Sequence, residues 1–392
     1  MPNKQWKSQN HFFDKIIKEY LDKHPELKLS PSLFYRDTKN LDFFDVDYYS
    51  DRRCQNCRVT SQLTDIQMLS NKQKQYKTLV NFKGECPDYL PETFSFTRST
   101  IESVRHHFND TRPWIIKPVG GSFRKGVTVV KTWKDLTDTV NKYKWRDWVL
   151  QRFITPPALC DGRKFHFRVY VLVVKSYQSL DVYIYRKGIM YFAKQPYQLT
   201  QTAPDKDHSE SLLSGGLSTE NSFVFPEKFA ECFNQNLFDF NIFPQMCHIV
   251  QDTIMSVQNE IMCPNQKNRR DYRCFKLLGY DILCDSNFQL YLGEINARRI
   301  TFKYPPPWLK KQLYFNLLDI VLRDRFDSDK NYFYHLQNYH IEETFTNPKK
   351  SSSILDSLRP SNTQQWIGLI LLSFILLALL YEIIVYVLEK KA

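Results

Sequence analysis

Apolar and polar residues alternate along this chain with two different periods. From Lys164 to Val174 the period is two: Lys164, His166 and Arg168 fall on one side, Phe165, Phe167 and Val169 on the other, which predicts a strand. The same period runs through Leu278–Asp281 and Leu290–Asn296, with Asp285-Ser286-Asn287 as the turn of a hairpin. Trp114–Pro118 and Val127–Val130 read as a second hairpin around a glycine-rich turn, and Trp148–Ile154 as a further strand. Val182–Tyr185 and Ile189–Ala193 read as a hairpin around Lys187-Gly188. Helical spacing marks Asn10–Lys23, closed by Pro25, then Leu63–Leu79, Trp133–Lys144, Gln245–Met262 and Trp308–Arg325. Residues 95–112 and 200–222 read as loops. The pattern predicts an α+β fold with mixed or antiparallel sheets.

One run breaks both periods. Trp366–Leu388 is apolar over 23 residues with Glu382 its only charge, long enough to cross a bilayer as one helix. Trp366 and Tyr386 stand near its ends, where interfacial aromatics belong. The expected organisation is an α-rich and linker region over 1–110, a catalytic region over 111–325, a polar tether over 326–365 and an anchor over 366–388. Such an anchor inserts after translation. The expected location is therefore a membrane, single-pass and C-terminally anchored, with the catalytic part facing the cytosol.

Hydrophobic residues make up 42% and charged residues 24%, which suits a folded chain. The net charge of +12 favours an acidic partner. Nucleic acid is not expected, because the basic residues are dispersed and no zinc-finger spacing occurs. The nine cysteines are scattered; Cys54 and Cys57 form a lone CxxC, which does not make a zinc site. Met1–Asn10 is polar, so no secretory signal is expected, and a reducing compartment follows.

Candidate chemistry begins with the last hairpin. Asp281 lies on its first strand, and Glu294 and Asn296 lie two apart on its second, sharing a face. Hard oxygen ligands of this kind suit Mg²⁺. Lys117, before a glycine-rich turn, suits a phosphate. Gln151-Arg152-Phe153-Ile154 offers hydrogen bonds and apolar faces for a base. Lys164, His166 and Arg168 add polar groups, and Arg186 another cation. Taken singly, each also fits ordinary structure: a solvated strand face, or a plain hairpin. Their order along the chain is that of ATP-dependent chemistry, without a Walker motif.

Four ordered segments carry a resemblance. They are WIIKPxxGxxxxGV from Trp114, WVLQRFITPPALCDGRKFHFRVYVLV from Trp148, IYRKGIMYFAKQPY from Ile184, and FKLLGYDILCDSNFQLYLGEIN from Phe275. From about Leu63 to Thr301 the chain resembles the tubulin–tyrosine ligase-like family of the ATP-grasp superfamily. The resemblance implies an ATP-grasp-like fold, with ATP and Mg²⁺ as cofactors. It implies that Lys117, Gln151, Arg152, Phe153, Ile154, Lys164 and the position of His166 meet the nucleotide. It implies that Arg168 and Arg186 hold phosphate or the carboxylate substrate, and that Asp281, Glu294 and Asn296 bind magnesium. The implied reaction joins a free amino acid to a protein carboxylate through an acyl phosphate. Tubulin tails are the expected substrate, with another acidic polypeptide as the alternative partner. Glutamate is the favoured amino acid, with tyrosine or glycine open.

The chain departs from the family pattern in four places. His166 replaces an aspartate, and the HLTN segment has only Gly216–Asn221 as its nearest match. Arg124 stands at a usual glycine, and Asn296-Ala297-Arg298-Arg299 replaces N-x-x-P. These departures keep a second reading open: a membrane-tethered pseudoenzyme that binds tubulin or another acidic protein without ligation.

Overall fold

The computed structural model describes residues 15–28 and 59–336, except 17–18, 61–62, 64–65, 110–111, 120–125, 144, 177–178, 200–220, 264–272, 298–304, 324–325 and 328. These residues belong to one compact unit, 1–339; a second unit, 340–392, falls outside them. Among the described residues no helix is long and apolar enough to cross a membrane. The predicted anchor at 366–388, Cys54 and Cys57, most of the glycine-rich turn, Arg298 and Arg299 all lie outside the described residues.

In chain order the strands are β1 (Val59–Thr60), β2 (Thr93–Thr97), β3 (Trp114–Pro118), β4 (Thr128–Val130), β5 (Asp147–Arg152), β6 (Leu159–Cys160) and β7 (Arg163–Lys175). They continue as β8 (Leu180–Tyr185), β9 (Gly188–Phe192), β10 (Ser222–Phe225), β11 (Arg273–Cys284), β12 (Leu290–Asn296) and β13 (Phe333–His335). The principal helices are α1 (Lys72–Lys83), α2 (Trp133–Lys142), α3 (Glu227–Cys232), α4 (Phe243–Met255) and α5 (Pro307–Arg323).

A four-stranded sheet, β2-β5-β3-β4, is antiparallel throughout. α2 and the 3₁₀ stretch Arg98–Asn109 cover one face, burying Trp114, Ile116, Trp148 and Leu150. Thr132 starts α2 with a reciprocal capping box to Asp135. The stretch expected to be loop at 95–112 is therefore the end of β2 and a 3₁₀ segment.

The larger sheet is built on the antiparallel pair β7 and β11. Both faces of β7 are buried, which explains its near-continuous apolar run. Phe167, Val169 and Val171 enter a core shared with α4, while Tyr170, Leu172 and Val174 enter one shared with α5. The outer edges are tiled. β8 pairs with the second half of β7 and β9 with its first half, so the two lie end to end. They do not form the expected hairpin: both compete for one edge of a longer strand, and each finds its own outer neighbour, β13 or β10. Gly188 is required at the break, because a Cβ there would overlap the Arg168 carbonyl and the Phe225 ring. β13 also shows that the expected tether contributes a strand.

Helix boundaries shift for local reasons. Leu63–Leu79 divides into a 3₁₀ turn at Ile66–Ser70 and α1, whose start is fixed by Asn71 accepting from the Gln73 and Lys74 amides. Pro25 opens a single turn, Pro25–Lys28, rather than ending a helix outright.

Candidate functional site

The alternation of β7 continues the α5 face from Tyr170 back through Arg168, His166 and Lys164. Asp281 on β11 is the cross-strand partner of Arg168 on β7 and of Glu294 on β12. Arg168 grips Asp281 bidentately, Nε to Oδ1 at 2.5 Å and Nη2 to Oδ2 at 3.0 Å. His166 Nε2 lies 3.7 Å from the same Oδ1, and Asn296 Nδ2 donates to Oδ2 at 3.3 Å. Burial pushes the Asp281 carboxyl up, but Arg168 and then His166 outweigh it and hold it below the usual carboxylate range. Burial likewise disfavours charge on Arg168, and Asp281 reverses this to hold the guanidinium above its ordinary value. Gly293 leaves room here, since a Cβ would sit 2.9 Å from the Asp281 carbonyl oxygen.

The small sheet turns its other face to this group. Lys117, Gln151 and Phe153 share that face with Ile115 and Val129. Lys117 Nζ donates to Gln151 Oε1 at 2.6 Å, and Gln151 Nε2 donates to Thr93 Oγ1 at 3.0 Å. Lys164 is buried, with its Nζ 4.0 Å from the centre of the Phe153 ring. Lys72, at the start of α1, faces Glu294 at 3.4 Å. Lys72, Gln75, Tyr76, Lys117, Gln151 and Leu292 line one cleft. Burial, with Lys117 adding, pushes the Lys164 ammonium down to about 7. Burial and then Lys72 push Lys117 down to about 8, against the pull of Glu294 and Asp281.

Asp281, Glu294, Asn296, Lys117, Gln151, Phe153, Lys164, His166 and Arg168 thus stand together as expected. Two others do not. Arg152 lies on the opposite face of β5: its guanidinium stacks on Trp114 at 3.5 Å and pairs with Glu92 at 2.9 Å. Arg186 follows the parity of Ile184 onto the α4 face, over Phe243 and 4.0 Å from Asp239. Ile154 is buried where the chain leaves β5. Sequence reasoning missed Lys72 and Tyr191, whose ring centre lies 5.3 Å from that of His166. Asn71, a good N-cap, was the available signal that a helix begins at Lys72.

The oxygen donors of Asp281, Glu294 and Asn296 suit Mg²⁺, and Lys72 and Lys117 in the cleft, with Lys164 buried against Phe153, suit a polyphosphate. The residues present fit both, provided Asp281 exchanges Arg168 for the metal.

Comparison with known proteins identifies the family. A sequence model of the tubulin-tyrosine ligase family matches residues 49–302. A probable alpha-tubulin polyglutamylase of Tetrahymena thermophila is 28% identical over 269 residues, 62% of each chain. A probable tubulin polyglutamylase of Caenorhabditis elegans is 29% identical over 216 residues, 50% of this chain and 48% of its own. A tubulin glycylase of Tetrahymena thermophila is 28% identical over 199 residues, 47% of this chain and 18% of its own. The chain therefore spans less than two thirds of the length of these relatives. With the match covering well over half of its 392 residues, the chain belongs to the tubulin-tyrosine ligase family.

Proposed function

We propose that this protein is an ATP-dependent ligase of the ATP-grasp type that adds an amino acid, glutamate by preference, to a carboxylate on a tubulin tail. The grouping of Asp281, Glu294 and Asn296 beside a cleft lined by Lys72 and Lys117, with Lys164 buried against Phe153, carries the reading. The polyglutamylases among the relatives support glutamate, and the glycylase keeps glycine as the competing choice. In the proposed reaction the γ-phosphoryl group of ATP passes to a carboxylate oxygen and ADP leaves. The incoming amine then attacks the acyl carbon and inorganic phosphate departs. Lys117 and Lys164 hold phosphate oxygens, and Gln151 and Phe153 hold the base. Asp281, Glu294 and Asn296 would hold Mg²⁺, which neutralises charge on the transferring phosphoryl group. Arg168, released from Asp281, is positioned to meet phosphate or the acceptor carboxylate. The net charge of +12 suits an acidic tail, and the apolar run at 366–388 supports a membrane-anchored form.

His166 favours a second reading, in which the chain binds an acidic tail without ligating it, because an imidazole cannot supply the permanent negative charge of a carboxylate. Mass spectrometry of tubulin tails after incubation with the protein, Mg-ATP and mixed amino acids decides between them. Added glutamate that disappears with Glu294→Gln, a change that removes one charge at nearly constant volume, supports ligation. Unmodified tails despite measurable tail binding support the second reading.

A further inference from the structure

The structure joins Cys160 to Cys232 across 72 residues of sequence, with Cα atoms 5.4 Å apart. Cys160 ends β6 and is 1% exposed; Cys232 ends α3 and is half-buried. The bond sits beside a turn that leads directly to the candidate site. β6 and β7 form a tight hairpin, Leu159 opposite Lys164 and Cys160 opposite Arg163, closed by Asp161 and Gly162 with φ of 52° and 70°. A second contact ties the same two elements: Lys228 of α3 reaches the Asp161 carboxylate at 3.3 Å. Asp161 Oδ2 in turn lies 3.7 Å from Cys160 Sγ. The other bonded pair, Cys263 and Cys274, is 11 residues apart in sequence. Cys274 pairs with Lys175, at the end of β7 remote from Lys164.

We propose that Cys160 and Cys232 form a reversible disulfide, a modification site at which a small-molecule disulfide sets the position of the β6–β7 hairpin and with it the grip of Lys164 on phosphate. The second half of this statement rests on the proposed nucleotide role of Lys164. Cys232 is the entry point, being the more exposed of the two. The Cys232 thiolate attacks one sulfur of the small disulfide and the other sulfur leaves as a thiolate. The Cys160 thiolate then attacks the Cys232 sulfur, expelling the second small thiol. Two protein thiols lose two electrons, the small disulfide gains them, and the two protons pass to the released thiols. Oxidised, α3 is fastened covalently to the hairpin; reduced, the Lys228–Asp161 contact and the packing of Phe229 on Phe167 remain.

The test equilibrates the full chain, in detergent, with graded ratios of reduced to oxidised glutathione, followed by rapid alkylation and peptide mapping. A linked Cys160–Cys232 peptide that forms and disappears reversibly across the series is the expected result. Cys232→Ser and Cys160→Ala should each abolish it while leaving the Cys263–Cys274 peptide. Full alkylation of both cysteines at every ratio, or a bond that persists at the most reducing one, overturns the proposal. Calorimetric titration of Mg-ATP into both redox forms reads the linkage: affinity should differ about fivefold or more. Equal affinities overturn the control of Lys164. If neither form binds Mg-ATP, the nucleotide reading fails and takes that control with it, while the alkylation series still decides the disulfide.

Discussion

Binding of Mg-ATP at pH 8 should draw protons out of the buffer. Burial, with Lys117 adding, pushes Lys164 down to about 7 in the free protein, and burial with Lys72 pushes Lys117 down to about 8. At pH 8 a group titrating near 7 is about one-tenth protonated, and one titrating near 8 is about half protonated. Phosphate oxygens placed beside both ammonium groups favour their charged forms. Full recharging then takes up about 0.9 proton at Lys164 and about 0.5 at Lys117, about 1.4 in all. The sign is fixed by linkage: the complex holds more protons than the free protein, so affinity falls as pH rises through this range. Near pH 8 the slope approaches about 1.4 decades per pH unit. Calorimetry in two buffers of different ionisation enthalpy measures the uptake directly. Lys164→Met should leave only the Lys117 share, about 0.5 proton. Proton release, or affinity that stays flat from pH 7 to 9, would refute the assignment of these two lysines to phosphate.

Three further outcomes follow from geometry. Gly188→Ala should cost about 2–3 kcal/mol in chemical denaturation, because the new methyl group has no room between the Arg168 carbonyl and the Phe225 ring; an unchanged midpoint would contradict the packing at the strand break. Tyr89→Phe should cost about 1–2 kcal/mol, since the buried Asp252 loses a 2.9 Å hydrogen bond while keeping Lys83 at 3.0 Å, and Mg-ATP affinity should not change. His166→Asp sets a second carboxylate toward Asp281, where the imidazole now lies 3.7 Å away. The variant should be less stable without metal, by about 1–2 kcal/mol, and should gain more from added Mg²⁺ than the parent in a thermal melt; a smaller gain would show that histidine has its own role here.

The face that carries Asp281, Glu294 and Asn296, the proposed magnesium ligands, was legible because period-two alternation reports directly which strand residues share a side. Asp281, Glu294 and Asn296 needed nothing more, and the same logic placed Lys164, His166 and Arg168. Arg152 shows what happens when a motif overrides parity: four consecutive residues were taken as one site, although β5 must send Arg152 away from Gln151. Arg186, expected as a further cation near a strand turn, shares the parity of Ile184, which is buried on the α4 side, and so stands apart from this group. The supposed hairpin of β8 and β9 was beyond local reading. Two short strands around a glycine favour a turn locally, and only a thirteen-residue β7 with one open edge makes them line up instead. The cysteine pairing was equally hidden, because nothing local connects positions 72 apart.

The Arg168–Asp281 pair spans 113 residues of sequence, and this has a consequence in time. A chain emerging from the ribosome completes the small sheet once β5 is out, so Lys117 and Gln151 can be in place early. Asp281 arrives 129 residues after Arg152, which at about 5–20 residues per second is about 6–26 seconds later. During that interval β7 has no β11 beside it, and Arg168 and His166 lack the Asp281 carboxylate. The nascent protein therefore passes through a stage with half of the proposed nucleotide cleft and an open, apolar strand edge. Chaperone capture during synthesis should concentrate on that window, ending when residue 296 is released.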